Sequence, residues 1–409
     1  MATMTTPPRT TRSAPEATGS ARHGVGFWAV ATAFLVAMAF STVPTPLYPL
    51  YEARDGFSTF MVTVVFAVYS VGVMVSLVLA GHVSDWVGRR RILLAALALE
   101  LVAALLFLST AALPMLLVAR FVTGLGVGML TATATAHLHE LHAAHRPGAS
   151  AQRFETVSTA ANIGGLGLGP LVAGFLAQYA GAPLRVPYAV FAVLLVLVMA
   201  ALALAPETVA ALPVRPKYRP QRVSADHGDR AGYVAAAAAG FASFAVFGLF
   251  TSIAAGFVGH TLGHPSRALA GGIVFAVFGG AALAQTLTQR LAPRTKMTAG
   301  LLAEGAGFLT LVVGMHTASL AAFLTGGVAA GVGAGLLFKA AVGRVVAMAA
   351  PARRSEALAS LFLVAYLGLS VPAVAIGVAT LALTATAAMT WFAGLLLALL
   401  TLVAVLDRR

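Results

Sequence analysis

From Tyr188 to Ala205 the chain reads YAVFAVLLVLVMAALALA, without one charged side chain. Similar runs recur along its length: VFAVYSVGVMVSLVLA before Gly81, ILLAALALELVAALLFL after Arg91, and TWFAGLLLALLTLVAVL near the end. A stretch of roughly 18–20 apolar residues is what a helix needs to cross about 30 Å of hydrocarbon. Hydrocarbon offers no partner to a backbone N–H or C=O, so each crossing must satisfy its own hydrogen bonds, as a helix does. The composition agrees: 59% of the 409 residues are hydrophobic and 10% are charged, against about 25% charged in a soluble domain. The chain reads as an all-α integral membrane protein.

Twelve transmembrane helices are predicted, near 25–50, 58–82, 91–110, 114–137, 153–179, 187–205, 232–258, 266–291, 296–314, 318–348, 355–381 and 386–406. The polar segment 206–231 separates two groups of six, so the chain divides into bundles 25–205 and 232–409 joined by a linker. Residues 1–24, rich in Thr, Pro, Ser and Arg, read as a disordered tail. They do not resemble a secretory signal, because the apolar run that follows is too long.

The net charge of +13 is unevenly placed. With the N-terminus inside, about twenty Lys and Arg fall in inside segments, against only Arg54, Arg185 and Arg267 outside. Both termini are therefore expected in the cytoplasm, in a multi-pass protein of the inner (plasma) membrane. The basic charge serves topology against an anionic leaflet, and no nucleic-acid partner is expected. There are no cysteines, so disulfides, thiolate metal sites and cysteine nucleophiles are excluded. No metal or cofactor is expected.

The chain is also written twice. VFAVY (65–69) returns as VFAVF (274–278), and GLGVGML (124–130) as GVGAGLL (331–337). Glu100 and Glu304 pair in the third and ninth spans, and Pro170 and Pro372 late in the fifth and eleventh. Parallel repeats of this kind place a binding site between the halves near the midplane.

Between the second and third spans, Gly81-x-Val83-Ser84-Asp85-x-x-Gly88-Arg89-Arg90 resembles motif A of the major facilitator superfamily. Leu is usual where Val83 stands, and a basic residue where Trp86 stands. Arg120-Phe-Val-Thr-Gly124-Leu-Gly126 is similar to motif B, and Gly165-Leu-Gly-Leu-Gly169-Pro170-Leu-Val-Ala-Gly174 to motif C, which in that family accompanies exporters that exchange substrate for protons. Pro206-Glu207-Thr208 is familiar in drug-transporter relatives. The resemblance covers about residues 25–406 and implies two pseudo-symmetric six-helix bundles, in the drug:proton antiporter branch.

Physical readings stand beside the resemblance. Gly81 and Gly88 permit a tight reversal, and Asp85 can pair with the arginines and so latch the halves while the transporter faces outward. The repeated loop, QRLAPRTKM, keeps the bases and has no acid. Gly165, Gly169 and Gly174 mark a small-residue face, kinked by Pro170, that suits packing against the other half.

Arg120, Lys339, Glu100 and Glu304 lie inside spans, where an unpaired charge is expensive. The resemblance makes Arg120 a helper of proton coupling that tunes a nearby carboxyl; a tie to backbone carbonyls is the plainer reading. Lys339 either lines the cavity or snorkels to the inner surface. A carboxyl in low dielectric favours its neutral form, which suits Glu100 and Glu304 as proton carriers, although spans three and nine lie away from the cavity in this fold.

Tyr69, Asn162, Phe241, Phe244 and Tyr366 are further cavity candidates; Tyr48 and Tyr51 suit an interfacial belt first and contact with substrate second. In HLHELHAAHR (137–146), His139, His142 and His145 share a helical step; an exposed cytoplasmic turn is expected rather than a metal site. No nucleotide loop, metal-helix motif or serine elbow is present, so no enzyme activity is expected.

The function expected is secondary-active export of small, largely hydrophobic molecules by alternating access, in exchange for protons. The alternative is import of a sugar or other polar nutrient. The partners are a small-molecule substrate, protons and the bilayer, with the protein acting as a monomer.

Overall fold

A helix in lipid must still begin and end, and this chain spends its few polar groups at those places. In the computed structural model, which describes residues 16–110, 112–210, 217–223, 229–350 and 353–407 (side chains from Ala21), Ser58, Ser266 and Ser319 each accept the amide proton three residues on and cap a helix start. Pro114, Pro187 and Pro293 sit in other first turns, where no amide proton is required. Gly56, at φ +69°, closes the short helix Tyr48–Asp55.

The long helices are α1 (Glu16–Thr42), α2 (Thr59–Ala80), α3 (Arg89–Ser109), α4 (Leu113–His145), α5 (Gln152–Tyr179), α6 (Val186–Ala203), α7 (Arg230–Ser252), α8 (Arg267–Leu287), α9 (Pro293–His316), α10 (Leu320–Met348), α11 (Arg354–Ala379) and α12 (Ala385–Asp407). All twelve are long and apolar enough to cross a membrane, and the described residues contain no strand. The first helix begins at Glu16, so residues 16–24, read above as tail, are helical; residues 1–15 lie outside the described residues. Of the linker, 206–210, 217–223 and 229–231 are described, and 217–223 lie along α2: Gln221 N donates to Val78 O (2.7 Å) and Tyr218 Oη to Leu79 O (3.0 Å). Glu16, Asp407 and the linker lie at one end of the molecule, here the linker end; the opposite end is the far end.

The internal repeat is visible in how small residues let helices approach. A Cβ on Gly124 of α4 would lie 2.1 Å from Tyr69 O of α2, and one on Gly331 of α10 would lie 2.4 Å from Val277 O of α8. Neither position has room for a side chain. Two residues on in each helix, Gly126 and Gly333 open slots that receive Glu100 of α3 and Glu304 of α9: the added Cβ would meet Glu100 Oε1 at 2.6 Å and the Glu304 Cβ at 2.5 Å. Both glutamates are fully buried in these slots, and their carboxyl oxygens meet no hydrogen-bond partner.

Two expectations fail here. The His137–Arg146 stretch is not an exposed turn: α4 runs through His145, and at 33 residues it is about 50 Å long, well beyond the hydrocarbon. His137 is buried with Nε2 3.0 Å from Pro206 O, and His142 is buried with Nε2 3.2 Å from Ser150 O, while His139 packs edge-on against Phe154. Among the described residues no three such side chains gather to hold a metal ion. Tyr48 and Tyr51 are not interfacial anchors either. Both are buried, and Tyr51 Oη lies 3.2 Å from Tyr188 Oη, whose ring stacks on Phe107 of α3.

Candidate functional site

Between the two halves lies a chamber of about 350 Å³, adjoined by a second of about 600 Å³ nearer the linker end. They share Thr131, Thr135, Asn162, Val342, Phe362 and Tyr366 among their lining, and the second reaches the α2–α3 loop and Gln221. Asn162, which lines both, lies in an i→i+5 turn of α5 over Ala160–Gly164.

At the far end the halves are pressed together. A Cβ on Gly174 of α5 would lie 2.4 Å from Arg267 O at the start of α8, and one on Gly271 of α8 would lie 2.1 Å from Pro170 O. Arg267 also donates from its backbone N to Gln178 Oε1 (3.0 Å) and from Nη1 to Ala177 O (3.0 Å). A Cβ on Gly377 of α11 would lie 2.2 Å from Thr63 Oγ1 of α2. The structure is therefore sealed at the far end, and its cavity runs to the linker end.

The glycine face of α5 divides its labour, which corrects the expectation that all three glycines meet the other half. Gly165 and Gly169 pack on α1, within their own half: a Cβ would lie 2.8 Å from Leu35 O and 2.0 Å from Ala39 O respectively. Of the three, Gly174 meets the other half. Pro170 has no amide proton for the Leu166 carbonyl four residues earlier. Thr42 Oγ1 of α1 donates to that carbonyl at 2.9 Å and repairs the gap.

The charged α2–α3 loop is a network inside the N-terminal half. Arg89 reaches Asp85 at 2.5 Å, Glu140 of α4 at 3.0 Å and Ser84 Oγ at 2.7 Å. Glu207, just after α6, accepts from the Arg89 and Arg90 amides at 2.9 and 3.1 Å, an acid at a helix N-terminus. Gly88 stands at φ +114°, where a Cβ would also lie 2.5 Å from Glu207 Oε2. Gly81 ends α2 with its N–H on Leu77 O. Arg90 Nη1 donates to Ala205 O (3.0 Å) and Ala203 O (3.3 Å), tying α3 to the end of α6. None of these bonds crosses to the other half. Asp85 is exposed and lines the second chamber.

The predicted cavity residues separate cleanly. Tyr69, Asn162, Phe244, Lys339 and Tyr366 line the first chamber, as does Arg120. Tyr48 does not; it is packed behind it. Phe241 faces outward onto a groove with Pro372, Trp391 and Phe392, and its backbone lies against Gly368. Glu100 and Glu304 also lie outside the cavity lining, in their glycine slots. Arg120 donates from Nη1 to Ser41 O near the end of α1 at 2.7 Å, and its guanidinium carbon sits 4.4 Å from the Tyr69 ring centre. No carboxylate comes within ion-pair distance of it among the described residues; the carboxyl on which its charge acts is Glu100, outside the chamber lining. Lys339 does not snorkel free: Nζ donates to Gln285 O at 3.0 Å and lies 3.7 Å from Glu155 Oε2 of α5, across the interface between halves.

Sequence reasoning overlooked Glu155, Glu140 and the aromatic wall of Phe247, Phe278 and Phe338. The repeat held a signal for one of them, because Phe278 is the counterpart of Tyr69.

The sequence matches the family model of the Major Facilitator Superfamily over residues 29–298. The chain belongs to this superfamily. Curated relatives that match it are uncharacterized MFS-type transporters of Mycobacterium tuberculosis. Rv1250 is 30% identical over 38% of this chain and 26% of its own length, and Rv1877 is 29% identical over 43% and 25%. The match thus spans only about a quarter of those relatives. Among solved structures, the human organic anion transporter MFSD10 (TETRAN) aligns with a TM-score of 0.63 and 18% identity over 93% of this chain and 99% of its own. A POT family transporter in complex with 5-aminolevulinic acid aligns with a TM-score of 0.73 and 12% identity, over 94% and 95%. These likenesses show the fold. The chain has the superfamily's two six-helix bundles, with the cavity between them.

Proposed function

We propose that this transporter is a secondary-active exporter of small, largely hydrophobic molecules, driven by exchange for protons across the inner (plasma) membrane. The linker end faces the cytoplasm in this reading, because the Lys and Arg of the short loops crowd there. The observation that carries it is the character of the chamber wall. Phe66, Phe244, Phe247, Phe278 and Tyr366 come from both halves and offer faces to an apolar body. The wall is richer in hydroxyls than the sequence suggests, but several of their protons, those of Ser41, Thr42, Thr131, Thr135 and Thr251, go to backbone carbonyls. Ser41 donates to Met38 O, Thr131 to Val127 O and Thr251 to Phe247 O. An importer of a sugar would need those donors free, since a polyol leaves any unmatched hydroxyl desolvated at a cost.

Transport follows by rocking the halves. The α5–α8 and α2–α11 contacts part at the far end while the α2–α3 loop meets the opposite half at the linker end. We assign the exchanged proton to Glu155, an acid that lines the chamber and bridges the halves through Lys339. Protonating it would remove that ion pair and loosen the α5–α10 contact.

The test is accumulation of three lipophilic dyes (rhodamine 6G, Nile red and fluorescein as cation, neutral and anion) in efflux-deficient cells, with and without a protonophore. Export predicts that at least one dye accumulates less in cells making the protein, and that the protonophore abolishes the difference. Equal accumulation of all three, with the protein confirmed in the membrane, contradicts the reading.

A further inference from the structure

Arg120 is 98% buried, as its 2% relative exposure shows, and lines the chamber. A guanidinium carries five N–H donors. One hydrogen bond holds Nη1 to Ser41 O, and Nε has no partner. The Tyr69 ring at 4.4 Å and the Phe66 ring at 5.9 Å lie against its guanidinium carbon. It forms no ion pair among the described residues; Glu100, the acid on which its charge acts, lies outside the chamber lining in its glycine slot and makes no hydrogen bond to it. A buried cation without a counter-charge is costly.

The ionised side chains that line the same chamber are Arg120, Lys339 and Glu155. Lys339 and Glu155 balance one another at 3.7 Å. One positive charge, that of Arg120, is left unmatched in a mostly aromatic cavity. Along α4, Arg120 stands eleven residues before Thr131, which lines both chambers, about 16 Å at helical rise. The free donors are therefore deep in the chamber, past the aromatic wall, and a ligand entering from the linker end must be long enough to reach them with one end.

Resting on the reading of this chamber as the cargo site, we propose that the cargo is an amphipathic monoanion, an aryl carboxylate in its simplest form. Its carboxylate accepts from the unpartnered Arg120 donors. Its apolar body lies along Phe244, Phe247, Phe278 and Tyr366. The head supplies the unmatched charge with an anion held by charge-assisted bonds to the guanidinium, which are the strongest the chamber can make. A cation of the same shape would add a second unmatched charge beside Arg120.

The test is calorimetric binding to the purified full-length protein in lipid nanodiscs, using three ligands of one shape: 4-biphenylcarboxylate, biphenyl-4-carboxamide and 4-phenylbenzylamine. The carboxylate is expected to bind at least tenfold more tightly than the amide, with the amine weakest. Arg120→Gln is expected to bring the carboxylate-to-amide ratio to about one. Arg120→Lys, which keeps the charge, should retain part of the preference; it also serves if the glutamine variant fails to give monodisperse protein. Amide or amine binding as tight as the carboxylate, a preference that survives Arg120→Gln, or no carboxylate binding would each overturn the proposal. Binding is read without a proton gradient or a transport direction, so failure of the export reading appears in the dye assay and leaves this result unaffected.

Discussion

In the N-terminal half the cation that ties the linker end together is Arg89, at the start of α3, and its acids are Glu140 on α4 and Asp85 in the loop. In the C-terminal half the cation is Arg344, on α10, the counterpart of α4. Its acids are Asp407 at the end of α12, in close contact, and Asp229 before α7, 4.0 Å away. The fourth helix of one half thus supplies an acid where the fourth helix of the other supplies a base. The apolar interiors do not diverge in this way: Gly124 and Gly331 meet a carbonyl of the second helix, and Gly126 and Gly333 receive a glutamate from the third. Lipid imposes one solution on both interiors, because close backbone approach is what holds helices together there. At the aqueous ends many ion-pair arrangements will hold a bundle, and the two halves use different ones. Asp85 is exposed and lines the second chamber at the first half's end, whereas the counterpart loop carries no acid.

The comparison can be broken at several points. Gly124→Val and Gly331→Val should each prevent folding of monodisperse protein, costing about 3 kcal/mol or more, because the neighbour is backbone and cannot yield. Tolerance of one and not the other would end the equivalence of the interiors. Gly174→Val presses on the seam between halves rather than within one. It should leave the thermal midpoint nearly unchanged while raising labelling of a cavity cysteine from the far end about fivefold, by favouring the far-open state. Gly88→Ala, strained at φ +114° and crowding Glu207, should cost about 1–3 kcal/mol in thermal unfolding. The counterpart loop has no positive-φ glycine among the described residues, so no substitution there should match it. Smallest are Glu100→Gln and Glu304→Gln. If both slots hold neutral carboxyls, each isosteric change should cost under about 1 kcal/mol, and equally. A large loss at one alone would mean that its carboxylate is ionised and paired.

Much of the fold was legible. The apolar runs fixed twelve helices because hydrocarbon admits few alternatives, and the paired segments foretold matching packing in both halves. The site was legible where a residue is unusual for its surroundings: Arg120, Lys339 and Asn162 are polar in apolar helices, and all three line the chamber. It was not legible among residues of one kind. Phe241 and Phe244 are three positions apart in a helix apolar all round, and nothing in the pattern says that Phe244 faces the cavity and Phe241 a peripheral groove. The partners of Arg89 were hidden for another reason. Glu140 and Glu207 lie far along the chain: Glu140 meets it because α4 continues past the membrane as a helix, and Glu207 because α6 ends beside the start of α3. The histidine stretch misled for the same cause: polar residues on a projecting helix look like a turn.

The central claim is a cargo cavity that opens at the linker end, toward the cytoplasm, with its far end sealed. The chain contains no cysteine, so Thr131→Cys, in the lining shared by both chambers, supplies a single reporter. Its reaction with a membrane-impermeant maleimide should be compared in inside-out and right-side-out membrane vesicles without a proton gradient. The account predicts labelling at least tenfold faster in inside-out vesicles. Equal rates, or faster labelling in right-side-out vesicles, would contradict it.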